Sequence, residues 1–154
     1  MDEIKKAGRY QRLENQIADL LKKSPDNEAA MATIASVLFN KMEYFFWCGF
    51  YRLKNDKLWI GPYQGPTACQ VLEERGVCLS SVEKKMTVIV PDVHKFPGHI
   101  ACDSRSNSEI VIPVRDSSDQ ITGVLDVDSK DYDSFTETDA KYLERIVALL
   151  KNYS

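Results

Sequence analysis

Three kinds of side chain in this sequence have the chemistry for a shared site: thiols in polar loops, carboxylates on a strand, and aromatic residues suited to a pocket floor. Cys102 stands out first. It lies in "GHIACDSRSNSEI" (residues 98–110), with His99 three residues before it and Arg105 three residues after. A cationic neighbour on either side would stabilise a thiolate and lower the thiol pKa. Cys69 and Cys78 also fall in or next to loops, whereas Cys48 sits between large apolar residues and reads as core filler. In "GVLDVDS" the alternation of a strand puts Asp126 and Asp128 on one face and Leu125 and Val127 on the other. Carboxylates two residues apart on a strand stand ~7 Å from each other. Their repulsion raises the pKa of at least one of them. Such a pair suits holding a cation, donating a proton or binding metal, and it is also compatible with a solvated strand end. Glu109 opens another strand and either joins them or faces water. Trp47 and Tyr51 share a strand face in "WCGFY" and fit either a core or the floor of a small apolar pocket.

The elements that must carry these residues follow from periodicity. Tyr10, Leu13, Ile17, Leu20 and Leu21 recur at helical spacing. A second helix is predicted from Ser24 as N-cap and Pro25 as first helical residue, with Met31, Ile34, Ala35, Leu38 and Met42 on its apolar stripe. "YFFWCGFYRL" and "LWIGPYQ" read as a hairpin around "KNDK". Residues 64–86 are broken by glycine and proline, with a short helix possible over Val77–Lys85. "MTVIVPDV" reads as a strand, residues 94–107 as a long loop, and "SEIVIPV" and "QITGVLDVDS" as strands around "RDSSD". A final helix starts at a capping-box pattern of Thr136 and Asp139 and carries Leu143, Ile146, Val147 and Leu150 on one face. Two helices, about five strands and a last helix suit a sheet with helices packed on one face.

Bulk properties narrow the function. The 154 residues favour one domain over the whole chain, 1–154. The net charge is −3 and no Lys/Arg-rich run occurs, which argues against nucleic acid or anionic membrane as a partner. No stretch approaches the ~20 apolar residues of a membrane span, and the first residues lack the apolar run of a signal peptide. A cytoplasmic location is expected, where thiols are kept reduced. The four cysteines are then fillers or reactive groups. His94, His99 and Cys102 with Cys69 or Cys78 could supply zinc ligands, but no Cys-x-x-Cys pair occurs and the cysteine spacings match no common zinc motif. No metal is therefore expected, and the local signatures of Cys–His hydrolases are missing as well.

Taken together, "WCGFY", "LWIGPYQGPTAC", "RGVC", "VPDVHKFPGHIACDSRSNSEIVIPV" and "GVLDVDS" resemble the free methionine-(R)-sulfoxide reductase family, a group of GAF-domain enzymes. The resemblance spans residues 10–150. It implies an α+β, GAF-like fold with a central six-stranded antiparallel sheet, N-terminal helices and a C-terminal helix packed on one face, in a homodimer. It implies reduction of free rather than protein-bound methionine-R-sulfoxide, thioredoxin as electron donor and no bound cofactor. Carried over by motif, Cys102 is the nucleophile, Cys78 the resolving thiol and Cys69 an auxiliary thiol. Trp47, Tyr51, Glu109, Asp126 and Asp128 match substrate-pocket positions. The chain departs from the family at Cys48, where valine is usual, and at Leu79, which replaces a glycine directly after Cys78 and would restrict any positive-φ backbone there. The competing reading is a non-catalytic GAF module that senses a small molecule or redox state. Such modules usually adjoin an output domain, for which this length leaves no room.

Overall fold

Alternation along the strands divides the molecule into two layers, one for stability and one for chemistry. The computed structural model describes residues 1–99 and 102–153. Ile100 and Ala101, within the "GHIACDS" motif, lie outside the described residues. Helix α1 (Glu3–Leu21) begins where the Asp2 carboxylate accepts the Lys5 amide at 2.8 Å. Its buried face is Tyr10, Leu13, Ile17 and Leu21. Leu20, expected on that face, falls at the edge of the stripe and is exposed. Helix α2 (Asn27–Lys41) starts two residues later than the Ser24–Pro25 reading predicts. The Ser24 amide closes the end of α1 by donating to the Leu21 carbonyl, and Asp26 caps α2 by accepting from the Ala29 amide. The expected stripe of α2 is buried from Met31 through Met42.

The strands are β1 (Trp47–Lys54), β2 (Lys57–Gln64), β3 (Val71–Leu72), β4 (Val88–Val90), β5 (Ser108–Arg115) and β6 (Ile121–Ser129). They form one six-stranded sheet in the order β3-β2-β1-β6-β5-β4, with every pairing antiparallel. The β1–β2 hairpin turns through Asn55 and Asp56, both with positive φ, as short polar residues tolerate. Strand β3 is two residues long, so it carries no periodicity and is not legible in the sequence. Helix α3 (Val77–Lys84) lies between β3 and β4, close to the predicted short helix. Helix α4 (Glu137–Ala148) completes the fold.

Helices α1, α2 and α4 cover one face of the sheet, against Cys48, Phe50, Ile110, Ile112, Leu125 and Val127. The opposite face presents Trp47, Tyr51, Val111 and Val124 to α3 and the adjoining loops. The helix layer is fastened by a buried charge. Asp139 is fully buried, and its carboxylate accepts from the Thr136 amide at 2.8 Å, Lys6 Nζ at 2.7 Å, Tyr10 Oη at 2.6 Å and Tyr44 Oη. The residue that opens α4 thus also ties α1 to α4 and to the segment before β1. Removing one partner of a buried ion pair leaves the other charge uncompensated, at a cost of about 3–5 kcal/mol. Asp139→Ala should lose about that much stability in urea unfolding, and Tyr10→Phe about 1.5–3 kcal/mol, the value of one hydrogen bond to a charged group. Near-wild-type unfolding midpoints for both would show that this network does not hold the helices to one another.

Candidate active site

Strand register assembles the site. On β6, Asp128 pairs with Trp47 of β1 on one side and with Glu109 of β5 on the other. Asp126, one pleat along, pairs with Gly49 and Val111. The face that turns Trp47 and Tyr51 away from the helix layer therefore also carries Glu109, Asp126 and Asp128. All five line one cavity of about 60 Å³, together with Cys78, Cys102 and His99. The sequence reading of Asp126 and Asp128 as a same-face pair holds, and cross-strand pairing adds Glu109 to them.

The aromatic wall is tightly built. Trp47 stacks on Tyr51 at 5.9 Å between ring centroids and on Tyr63 at 5.3 Å. Its indole Nε1 donates to the Pro66 carbonyl at 3.0 Å. A Cβ at Gly49 would lie 2.3 Å from Tyr63 Cβ and 2.7 Å from Trp47 Cη2, so only glycine lets these rings lie over β1. Tyr51 Oη donates to the Cys69 carbonyl at 2.7 Å, which fixes the segment carrying that cysteine to the pocket floor. Tyr63 is absent from the sequence-based candidates. A register shift in the β1–β2 ladder between Gly49 and Tyr51 breaks the alternation of β2, so periodicity from Leu58 and Ile60 does not place Tyr63 on this face.

The thiols sort differently from expectation. Cys69 and Cys102 are joined in a disulfide with a Cα–Cα distance of 5.4 Å across 33 residues. The bond therefore engages the thiol expected to be auxiliary. Cys78, expected to be the resolving partner, is a buried free thiol on α3 whose Sγ lies 3.9 Å from Glu109 Oε2. The cause is placement: α3 turns Cys78 inward against the carboxylates, while Cys69 and Cys102 come from the loops beside the cavity. Leu79 lies within α3 with helical backbone, so the missing glycine creates no strain. Cys48 is also a free buried thiol, but it faces the helix layer.

Of the two side chains expected to activate Cys102, Arg105 is engaged elsewhere and His99 is pushed toward its neutral form. The Arg105 guanidinium donates to both carboxylate oxygens of Asp103, at 3.0 and 2.8 Å, and lies over the Phe46 ring at 4.8 Å. These hydrogen bonds hold the Asp103 carboxyl down at about 2. Burial, with His94 nearby, pushes His99 below its usual range and favours the neutral ring. The zinc set of His94, His99 and Cys102 does not form either, since His94 Nε2 lies 2.9 Å from Asn107 Oδ1 and Cys102 is disulfide-bonded.

The acids are strongly perturbed. Burial first, then the neighbouring Asp128, pushes Glu109 up to about 8. Burial raises Asp126 well above the carboxylate range, with Glu109 next in effect. Asp128 is raised by burial and by Asp126, and the Cys78 thiol by burial and the same carboxylates. A site of this kind keeps protons near neutrality and can hand them to a leaving oxygen. It also offers negative charge to an incoming ammonium.

A sheet in this order, with helices on one face and a loop-walled pocket on the other, places the chain among the GAF-domain proteins. It is 44% identical to GAF domain-containing protein A of Dictyostelium discoideum, over 97% of each chain. It is also 43% identical to the free methionine-R-sulfoxide reductase of Escherichia coli, over 80% of this chain and 74% of that protein. A free methionine-R-sulfoxide reductase of Neisseria meningitidis, solved in complex with its substrate, superposes with a TM-score of 0.92 at 39% identity, covering 99% of this chain and 90% of that one. No family model matches the chain. On these likenesses the chain belongs to the free methionine-R-sulfoxide reductase family.

The burial of Glu109 has a consequence for stability. Its folded-state pKa of about 8 lies above the ordinary 4.5. Between those values the unfolded chain has released a proton that the folded chain keeps, so this group's contribution to stability falls as pH rises. Glu109→Gln should therefore gain stability over the wild type between about pH 5 and about pH 8, measured by urea unfolding with chelator present and the disulfide intact. A difference that does not change with pH would show that Glu109 is ordinarily ionised in the folded protein.

Proposed function

We propose that the protein reduces free L-methionine-(R)-sulfoxide to methionine. The observation that carries this reading is the convergence of Cys102, disulfide-bonded to Cys69, and three proton-retaining acids on one small cavity. The printed names of its relatives, one of them solved with its substrate, support the same substrate.

In this reading Cys102, released from the disulfide, attacks the sulfoxide sulfur as a thiolate. The sulfoxide oxygen takes protons from the acid cluster and is transferred to the cysteine. Methionine leaves, and Cys102 becomes a sulfenic acid. The sulfur of the substrate is reduced by two electrons and Cys102 is oxidised by two. Cys69 then condenses with the sulfenic acid, forming the disulfide and releasing water. Exchange with a dithiol of the thioredoxin type returns both thiols. The resolving role goes to Cys69 rather than Cys78, because Cys69 is the thiol within bonding distance of Cys102.

Substrate recognition follows from the same surfaces. The ammonium of the free amino acid meets Glu109, Asp126 and Asp128, of which the ionised fraction binds it and the protonated fraction serves the oxygen. A peptide-bound residue lacks that ammonium. Trp47 and Tyr51 offer aromatic faces to the S-methyl end, where sulfur packs favourably.

Incubation with the separated R and S epimers and a thioredoxin system should yield methionine from R alone, and Cys102→Ser should reduce the rate by at least about a thousandfold. Cys69→Ser should still release one equivalent of methionine per chain in a single burst but lose thioredoxin-linked cycling. Turnover of neither epimer overturns the reading in favour of a sensor. Full cycling by Cys69→Ser overturns the assignment of the resolving thiol.

A further inference from the structure

We propose that Cys78, Glu109 and Asp126 form a site for one divalent cation of the zinc class, at the acid end of the pocket. One donor atom from each of the three lies within 4.8 Å of the others, and all three residues are buried. Cys78 Sγ and Glu109 Oε2 are 3.9 Å apart. A second observation points to a ligand. Asp126 is only 6% exposed, yet its Oδ1 meets no hydrogen-bond partner among the described residues beyond its neighbouring acids and the Cys78 thiol. A buried carboxylate oxygen without a donor is costly, and a cation is a natural complement to it.

The donor set selects the ion. Tetrahedral zinc with sulfur and oxygen ligands at about 2.0–2.3 Å places neighbouring donors roughly 3.5 Å apart. The three donors therefore need to close by at most about 1.3 Å, within reach of side-chain adjustment. Sulfur beside two carboxylate oxygens favours zinc and its neighbours over magnesium or calcium, which require six or more oxygens. Three protein ligands with a fourth position facing the cavity is the pattern of an open zinc site. Coordination displaces the protons these groups otherwise hold, so the ion occupies the acids on which a substrate ammonium depends. The site thus gives Cys78 a role outside the disulfide exchange and links the pocket to metal availability. It is invisible in sequence because its ligands come from α3, β5 and β6 and share no motif spacing.

Cobalt provides the test. The protein is kept oxidised, so that Cys69 and Cys102 are bonded and Cys48 and Cys78 are the free thiols. Titration with Co²⁺ should reach one equivalent and give a thiolate-to-cobalt charge-transfer band that excess Zn²⁺ abolishes. Cys78→Ser should lose the band, Asp126→Asn should weaken binding at least about tenfold, and Cys48→Ser should retain both band and affinity. Circular dichroism of each variant establishes that it is folded. No band in the wild type, a band that survives in Cys78→Ser, or one that vanishes in Cys48→Ser overturns the proposal. The titration does not require turnover, so it is decided independently of the methionine assay.

Discussion

Three carboxylates crowded on one face of a sheet, Glu109 and Asp126 buried and Asp128 half-buried, are the constraint on which the rest of this structure turns. Asp128 stands directly across from Glu109, and Asp126 follows on the same face of the same strand. Like charges placed opposite one another across strands oppose folding, and burial penalises the charged forms further. The fold holds them there with their hold on protons raised by burial and by one another. The stability given up must be recovered elsewhere in the molecule.

The other face supplies it. Helices α1, α2 and α4 bury a continuous apolar layer against the sheet, and the Asp139 carboxylate taken into that layer is met by the buried Lys6 ammonium, two phenols and a backbone amide. The contrast with Asp126 is direct. Both are buried aspartates, but one is saturated with donors and the other has an oxygen that meets none among the described residues beyond its neighbouring acids and the Cys78 thiol. The first is a structural fastening and the second is a group kept in reserve for a ligand. Fold stability and chemistry are thereby separated onto opposite sides of the same six strands.

The loops then determine which thiols meet. Tyr51 anchors the Cys69 carbonyl to the pocket floor, so the aromatic wall also holds the segment that supplies one sulfur of the disulfide. Cys102 comes from the long polar loop, where its nearest charged sequence neighbours are committed to each other as the Asp103–Arg105 pair. Thiol activation in this site therefore owes less to a flanking cation than its sequence neighbourhood suggests. Cys78, directed inward by α3, belongs to the acids rather than to the disulfide.

Local pattern made much of this legible. Alternation in "WCGFY" and "GVLDVDS" set which residues share a face, because a strand's period of two is a property of the strand itself. Helical spacing likewise marked the buried stripes of α1, α2 and α4, and the motif resemblance marked the pocket residues. What the sequence could not carry was anything that depends on which segments become neighbours. The two-residue strand β3 has no period, Tyr63 joins the aromatic wall only through β1–β2 pairing, and the late start of α2 reflects competition between Ser24 and Asp26 for different helix ends. The choice of Cys69 over Cys78 as the partner of Cys102 is of the same kind. By itself the sequence determined the faces, the candidate acids and the polar setting of Cys102. Tertiary structure alone decided that Glu109 stands across from Asp128, that Cys69 reaches Cys102, and that Cys78 turns toward the carboxylates. Register and loop placement are long-range choices, made by packing the two layers together.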